Sequence, residues 1–392
     1  MTATTERLLY STSRALEHAA ALDDVTPLRI HPIGFPLFIA QLTATIEEHA
    51  PFDLLDRYVG LAIGDGGFRS VSGIADFLGV SEPMIDRVLR FLGGIGHLTG
   101  ADGALALTER GMRSARDDQR YTAKAEKLRL YFDGVRCGPL TSAHYARGVR
   151  VMDQAHANQQ RIFKLLSHSC DFRNDAVHDL ARRPDRGSYD LPDELTDVAV
   201  HAVGLAFLPC YLIRARTSGG FRTLVYSAVA SQRDEHVEAM VGEWPTTGRL
   251  LELGDSESPR DMFGDWLREQ QISPRSIEWL DALQARLSLP ASRLPSDPPA
   301  NRARGMFSLT QVGSYIAPRG HVLQLWCSDP QVRRRAALAR ALAYASASRR
   351  ATADVVGFLE RVSRQLDLVP AVALDELGTY ARATGHGSLI LT

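Results

Sequence analysis

The chain has 392 residues, of which 45% are hydrophobic and 23% charged, and its formal net charge is -1. That length buries a sizeable core and makes two or three domains the expectation, and the composition is that of an ordinary globular chain rather than a disordered one. The near-neutral balance argues against a bulk polyelectrolyte partner but leaves room for a local basic patch.

Residues 4 to 22 read as an amphipathic helix, with Leu8, Leu9, Leu16 and Ala19 or Ala20 near helical spacing. Pro27 to Pro36 breaks it, and a second helix is expected from Phe38 to Glu48. The stretch from Pro51 to Asp118 carries the most structured pattern. Leu54, Leu55, Tyr58, Leu61 and Ile63 supply a supporting first helix, and two short amphipathic segments follow: Ile74, Ala75, Phe77 and Leu78 after a cap at Ser72, then Met84, Ile85, Val88, Leu89 and Leu92 after a cap at Ser81. Gly79 ends the first by tolerating positive φ, and Pro83 sits in the first turn of the second, where a missing N–H costs little. Gly93 and Gly94 stop the second segment. His97 to Thr99 and Ala104 to Leu107 then read as two strands around the Asp102-Gly103 turn.

This order, LGVSEPMIDRVLRFLGGIGHLTG followed by LALTERG, resembles a winged helix-turn-helix. It is similar both to the DNA-binding winged-helix regulators of bacteria and to the N-terminal dimerisation domain of small-molecule O-methyltransferases. The first resemblance implies that Arg87 and Arg90 face a DNA groove; the second implies that the unit makes a homodimer. The exposed face carries Glu82 and Asp86 beside Arg87 and Arg90, and the turn carries Asp102 without a basic residue. Because phosphate neutralisation dominates DNA affinity, this balance favours a protein partner over duplex DNA.

Beyond this unit, residues 119–191 are expected to be helical, with helices over Tyr121 to Phe132 and over 144–170. The span 192–330 is expected to be an α/β or α+β domain. In it, Phe207 to Ile213 and Phe221 to Ser227 form a hairpin through Thr217 to Gly220. A helix is expected from Arg233 to Trp244, a strand from Arg249 to Leu253, and helices over Met262 to Gln270 and Ser276 to Leu287. A proline-rich linker from Pro290 to Pro299 is followed by strands over Gly305 to Thr310 and His321 to Cys327. The C-terminal region, 331–392, reads as three helices: Gln331 to Ser348, Thr352 to Leu366 and Leu374 to Ala383. The expected fold is therefore mixed α and β but predominantly helical: N-terminal helices to residue 50, a winged helix over 51–118, a helical middle, the α/β or α+β domain and C-terminal helices.

No catalytic signature stands out. Leu250 to Asp255 superficially resembles the first cofactor loop of a methyltransferase, but Ser256-Glu257-Ser258-Pro259 lacks the further glycines that let backbone approach a cofactor. His168, Cys170 and His178 lack the spacing of a zinc site, and no metal or other cofactor is expected. Asp234, Glu235 and His236 open an expected helix, where acids favour the positive end of the dipole. His321, Cys327 and Asp329 flank a strand without a nucleophile-base arrangement. Nearly all positive charge is arginine, since Lys124, Lys127 and Lys164 are the only lysines. The densest group, Arg333-Arg334-Arg335 with Arg340, Arg349, Arg350, Arg361 and Arg364, is the best electrostatic candidate for phosphate contact, although such runs usually solvate helix faces.

Four cysteines lie too far apart for a disulfide framework. The first residues lack a basic region followed by an apolar run, and the run from Ala199 to Ile213, broken by His201 and Pro209, is too short to span a bilayer. The expectation is a cytoplasmic, non-enzymatic regulatory or assembly protein that binds double-stranded DNA or a protein partner, forms a homodimer and does not engage membranes. The alternatives are an enzyme of O-methyltransferase-like organisation and a subunit inactive outside a larger bacterial complex.

Overall fold

The computed structural model describes residues 11–229, 233–242, 244, 248, 258–295, 305–346 and 351–386. Helix α1 (Thr12–Ala20) precedes a strand of 26 residues, β1 (Thr26–Pro51). Then come α2 (Leu54–Gly64), α3 (Val71–Leu78), α4 (Glu82–Gly94), the short strands β2 (Leu98–Thr99) and β3 (Ala106–Leu107), and α5 (Glu109–Asp117). Strand β4 (Gln119–Asp133) follows, then β5 (Met152–Asp153), α6 (Gln154–Gln159), β6 (Lys164–Leu165) and α7 (Ala176–Ala181). The long β7 (Leu195–Thr217) turns into β8 (Gly220–Ser227), followed by α8 (Glu235–Gly242) and α9 (Pro259–Glu269). Strands β9 (Ile277–Trp279), β10 (Ala285–Ser288), β11 (Tyr315–Ile316) and β12 (Leu323–Trp326) precede α10 (Pro330–Ser346), α11 (Thr352–Gln365) and α12 (Leu374–Ala383).

Of the described residues 41% are helix and 27% strand, and six of the described strands join in one sheet of order β4-β1-β7-β5, with β6 on β1 and β8 on β7. The chain is thus mixed α and β, and the expectation of a predominantly helical protein is wrong. Two segments account for most of the error. Residues 38–48 and 121–132 are not helices; they are the antiparallel partners β1 and β4, in register from Leu37 opposite Asp133 to Pro51 opposite Gln119. Phe38, Ala40, Leu42, Ala44 and Ile46 are all buried, one every second residue, which is the period of a strand with one face on a core. The same alternation puts Leu130 and Phe132 inside. Residues 144–170 likewise hold the end of a 3-10 turn at Ser142–Tyr145 and one short helix between two two-residue strands, and 276–287 hold β9 and the start of β10. Gly305 to Thr310 leads into a short 3-10 turn at Leu309–Gln311 rather than forming a strand.

The hairpin of β7 and β8 falls where the turn residues place it, pairing Thr217 with Gly220 and Cys210 with Ser227. α9, α10, α11 and α12 occupy their expected spans to within a few residues. The strand expected at Arg249 to Leu253 lies outside the described residues, as do residues 296–299 of the proline-rich segment, whose described part holds a 3-10 turn at Ala291–Arg293.

The chain divides into two compact units, one of residues 1–36, 146–167 and 206–392, the other of 37–145 and 168–205, so β1 and β7 each contribute to both. In the first unit, a four-stranded sheet of order β11-β12-β10-β9 packs its apolar residues with α9, α10, α11 and α12. Leu287, Leu323, Leu325, Ala336 and Leu366 are wholly buried there. In the second unit, Phe38, Leu42, Leu130 and Phe132 of the β1–β4 pair share a core with Ala176, Val177 and Leu180 of α7. No described helix is long and apolar enough to cross a membrane.

Candidate functional site

The candidate site is residues 52–118 of the second unit, inserted between the two strands of a ladder. β1 ends at Pro51 and β4 begins at Gln119, and these two residues are paired, so the insertion leaves and returns at adjacent points. A scaffold strand pair therefore fixes both ends.

Within the insertion the sequence accounts for the local structure. The Asp53 carboxylate accepts from Leu55 N–H and starts α2; Ser70, two residues before the expected Ser72, accepts from Gly73 N–H and starts α3. Gly79 ends α3 at φ 65°, in the left-handed region where a side chain is strained. α4 begins after Ser81 with Pro83 in its first turn. Val59, Ile63, Ile74, Ile85, Val88, Leu92 and Leu105 close one small core between these helices and the hairpin of β2 and β3.

The hairpin is pinned at its tip. Asp102 Oδ1 accepts from Val71 N–H at 2.9 Å and so joins the turn to the start of α3. Arg69 Nη1 donates to the carbonyls of Ile63 and Leu105 at 2.8 and 3.2 Å, tying α2 to β3. At the base, buried His97 lies 2.6 Å from the Tyr121 carbonyl through Nε2, and Ser114 Oγ accepts from Tyr121 N–H. Burial holds the His97 imidazole below its ordinary value; the Tyr121 carbonyl opposes this, while Arg110 and Arg120 add to it. Gly111 of α5 sits against the His97 carbonyl so closely that a Cβ would lie 2.1 Å from the oxygen.

Arg87 and Arg90 both lie on the exposed face of α4 with Glu82 and Asp86, and Arg90 Nε donates to the Asp86 carbonyl at 3.3 Å. Burial and then Asp53 push the Asp56 carboxyl of α2 upward, while Arg120 and Arg87 pull it back, so part of the Arg87 charge is answered by α2. Sequence reasoning missed the apolar content of the surface. Leu54 is 67% and Phe77 62% exposed, and Tyr58, Met84 and Phe91 are also exposed. Leu54 and Tyr58 stand one turn apart on α2, a spacing that was legible had the helix been given its inner face first.

The C-terminal arginines separate by role. Arg333 donates to the carbonyls of Leu366, Cys327 and Ser328 and lies 4.7 Å over the Trp326 ring. Arg334 grips Glu376 through two bonds of 2.8 and 2.6 Å and reaches the Pro370 carbonyl. Both therefore hold α10 to its neighbours, while Arg335 is exposed. Arg340, Arg361 and Arg364 line a cleft of the first unit instead.

The weaker sequence candidates are also placed. His168 Nε2 lies 3.0 Å from the Leu37 carbonyl, its ring packs on Phe38, and burial pushes the Cys170 thiol upward. Among the described residues no group of three or more His, Cys, Asp or Glu could hold a metal ion. Asp234 is buried and accepts from Ser227 Oγ and Val237 N–H, which makes it the cap of α8. His321 is buried edge-on to Phe263, Cys327 is buried, and Asp329 accepts from Gln331 N–H at the start of α10. The Leu250 to Asp255 turn lies outside the described residues.

Comparison with family models, curated proteins and solved structures finds no match to this chain.

Proposed function

We propose that this protein is a regulatory or assembly factor that acts by macromolecular contact. Residues 51–118 serve as a winged-helix-like module, and a second copy of this chain is the first partner. One observation carries the reading: Leu54, Tyr58, Phe77 and Met84 stand exposed on three helices whose polar residues are of mixed sign. Protein interfaces draw on aromatic side chains and Met at their centres, whereas a phosphate backbone needs an excess of cations. The order of three helices, hairpin and helix on a strand-pair base supports a module that presents α4 and α2 outward.

Duplex DNA is the second reading, and it rests on the exposure of Arg87 and Arg90. Light scattering on the eluted full-length protein over a concentration series tests the first. The proposal expects the mass to rise towards that of a dimer, and Leu54→Ser with Tyr58→Ser to return it to a monomer with an unchanged circular dichroism spectrum. A monomer throughout, or a dimer indifferent to both substitutions, would sink the dimer reading.

A further inference from the structure

A cleft of about 1190 Å³ opens in the first unit between α1, β10, β11, β12, α10 and α11. That is large for a ligand site, since pockets for small molecules run to roughly 300–1,000 Å³. Six arginines and four carboxylates line it, so it has a cationic surplus. Three of the four carboxylates have a donor nearby, two of them only at 3.4 Å. Asp24 accepts from both the backbone and the hydroxyl of Ser218, Glu17 lies 3.4 Å from Arg340, and Asp367 lies 3.4 Å from Arg286.

The donors at the floor are less well satisfied. The Arg340 side chain is only 9% exposed, yet its contacts are Glu17 and the Val312 carbonyl, each at 3.4 Å. Charge-assisted bonds between such groups are ordinarily about 2.7–2.9 Å long, and a buried guanidinium without them is costly. Burial alone draws the Arg340 cation downward, against Glu17 and Tyr315. Tyr315 is mostly covered and senses Arg286, Glu17 and Arg340, yet its hydroxyl has no hydrogen-bond partner among the described residues. Arg286 is set firmly beside it by stacking 3.9 Å over Trp326 and donating from Nε to Gln324 Oε1 at 2.8 Å. At the rim, Arg361 and Arg364 stand exposed on α11, one turn apart, with no ion pair or hydrogen bond from either guanidinium among the described residues.

We propose that this cleft binds a phosphate-bearing small molecule, its phosphoryl oxygens held by Arg286, Arg340 and the Tyr315 hydroxyl at the floor and by Arg361 and Arg364 at the rim. The donors come from four elements, β10, β11, α10 and α11, and therefore approach from different directions. A tetrahedral dianion with three terminal oxygens can accept from such a set, whereas a planar carboxylate is best matched by the edge of one guanidinium, in its plane, through two parallel bonds. The recessed position of Arg340 favours a free small molecule over the backbone of a duplex. What the 51–118 module binds does not bear on this site.

Isothermal titration of the full chain with pyrophosphate, with AMP and with citrate tests the assignment, with Arg361→Ala/Arg364→Ala and Tyr315→Phe as variants. Both arginines are exposed, so the double variant keeps its fold, and its unfolding temperature checks that. The expected result is saturable binding of pyrophosphate or AMP, weakened by roughly tenfold or more in the double variant, as the loss of charge-assisted bonds implies, and by a few-fold in Tyr315→Phe. No binding of either phosphate probe up to about 10 mM, well beyond metabolite-like affinity, would overturn it. So would phosphate binding that is unchanged in both variants, or citrate bound as tightly as AMP.

Discussion

Substituting alanine for glycine at two helical positions of the 51–118 module should change stability in opposite directions. At Gly93, in α4, an added Cβ meets nothing within 4 Å, so the substitution there only removes backbone freedom from the unfolded chain. Gly93→Ala should stabilise the module by about 0.5–1 kcal/mol, the helix preference of alanine over glycine. Gly111, in α5, gains the same preference but loses space, because its Cβ would lie 2.1 Å from the His97 carbonyl oxygen and 2.9 Å from the carbonyl carbon. Both are backbone atoms, which no rotamer change can move aside, and that carbonyl already accepts from Thr108 N–H at 2.9 Å. Overpacking of this kind costs about 1–3 kcal/mol or more, which exceeds the propensity gain. Gly111→Ala should therefore destabilise by about 1–2 kcal/mol net and open the seat between α5, His97 and β4. Amide hydrogen exchange reads this locally: protection of the β2 and α5 amides should fall roughly tenfold or more in Gly111→Ala and rise in Gly93→Ala. Equal or same-signed changes at the two positions would refute the packing of α5 on the hairpin base.

Three further outcomes follow from the same geometry. Two bonds from Arg334 hold the Glu376 carboxyl below its ordinary 4.5, so the pair contributes stability above that value and loses it as pH falls through the lowered one. Both side chains are partly exposed, so the effect is below about 1 kcal/mol, and the gap in acid unfolding between wild type and Glu376→Gln should narrow as pH falls below the ordinary 4.5. His97 is held neutral chiefly by burial below its ordinary 6.5, so the unfolded chain takes up its proton first and module stability declines as pH falls through 6.5. Unfolding temperatures of His97→Gln should lack that component, and a pH profile identical to wild type would contradict the buried neutral imidazole. Of the cysteines, Cys170 alone is only partly buried, so iodoacetamide should label it first, with Cys137, Cys210 and Cys327 reacting only on unfolding; mass mapping of the adducts decides this.

Local signals were legible wherever one short segment carried its own turn chemistry. Thr217 to Gly220 announced the β7–β8 hairpin, and Gly79, Ser81 and Pro83 announced the break between α3 and α4. Residues 38–48 and 121–132 failed because Ala, Glu, Lys and Leu favour helix in isolation, while the burial of alternate residues became decisive only once β1 and β4 paired across the 51–118 insertion. That ladder is non-local, and no window of a dozen residues contains it. The arginine group was visible as composition, but the division of labour within it was not. Arg333 and Arg334 meet carbonyls and Glu376, whereas Arg361 and Arg364 face an open cleft, and only the packing of α10 against α11 and α12 separates them. Asp102 is the opposite case: its charge suggested repulsion of phosphate, and its position makes it a bracket between the hairpin tip and α3.

The measurement that bears most directly on the proposed role is fluorescence anisotropy of a labelled mixed-sequence duplex titrated with the full-length protein at low and moderate salt, beside Arg87→Ala/Arg90→Ala. The mixed charge and exposed apolar side chains of α2, α3 and α4 predict no saturable binding even at low salt, and no difference between wild type and variant. Binding that weakens steeply with salt and is lost in the variant would contradict the account and make α4 a groove-reading helix.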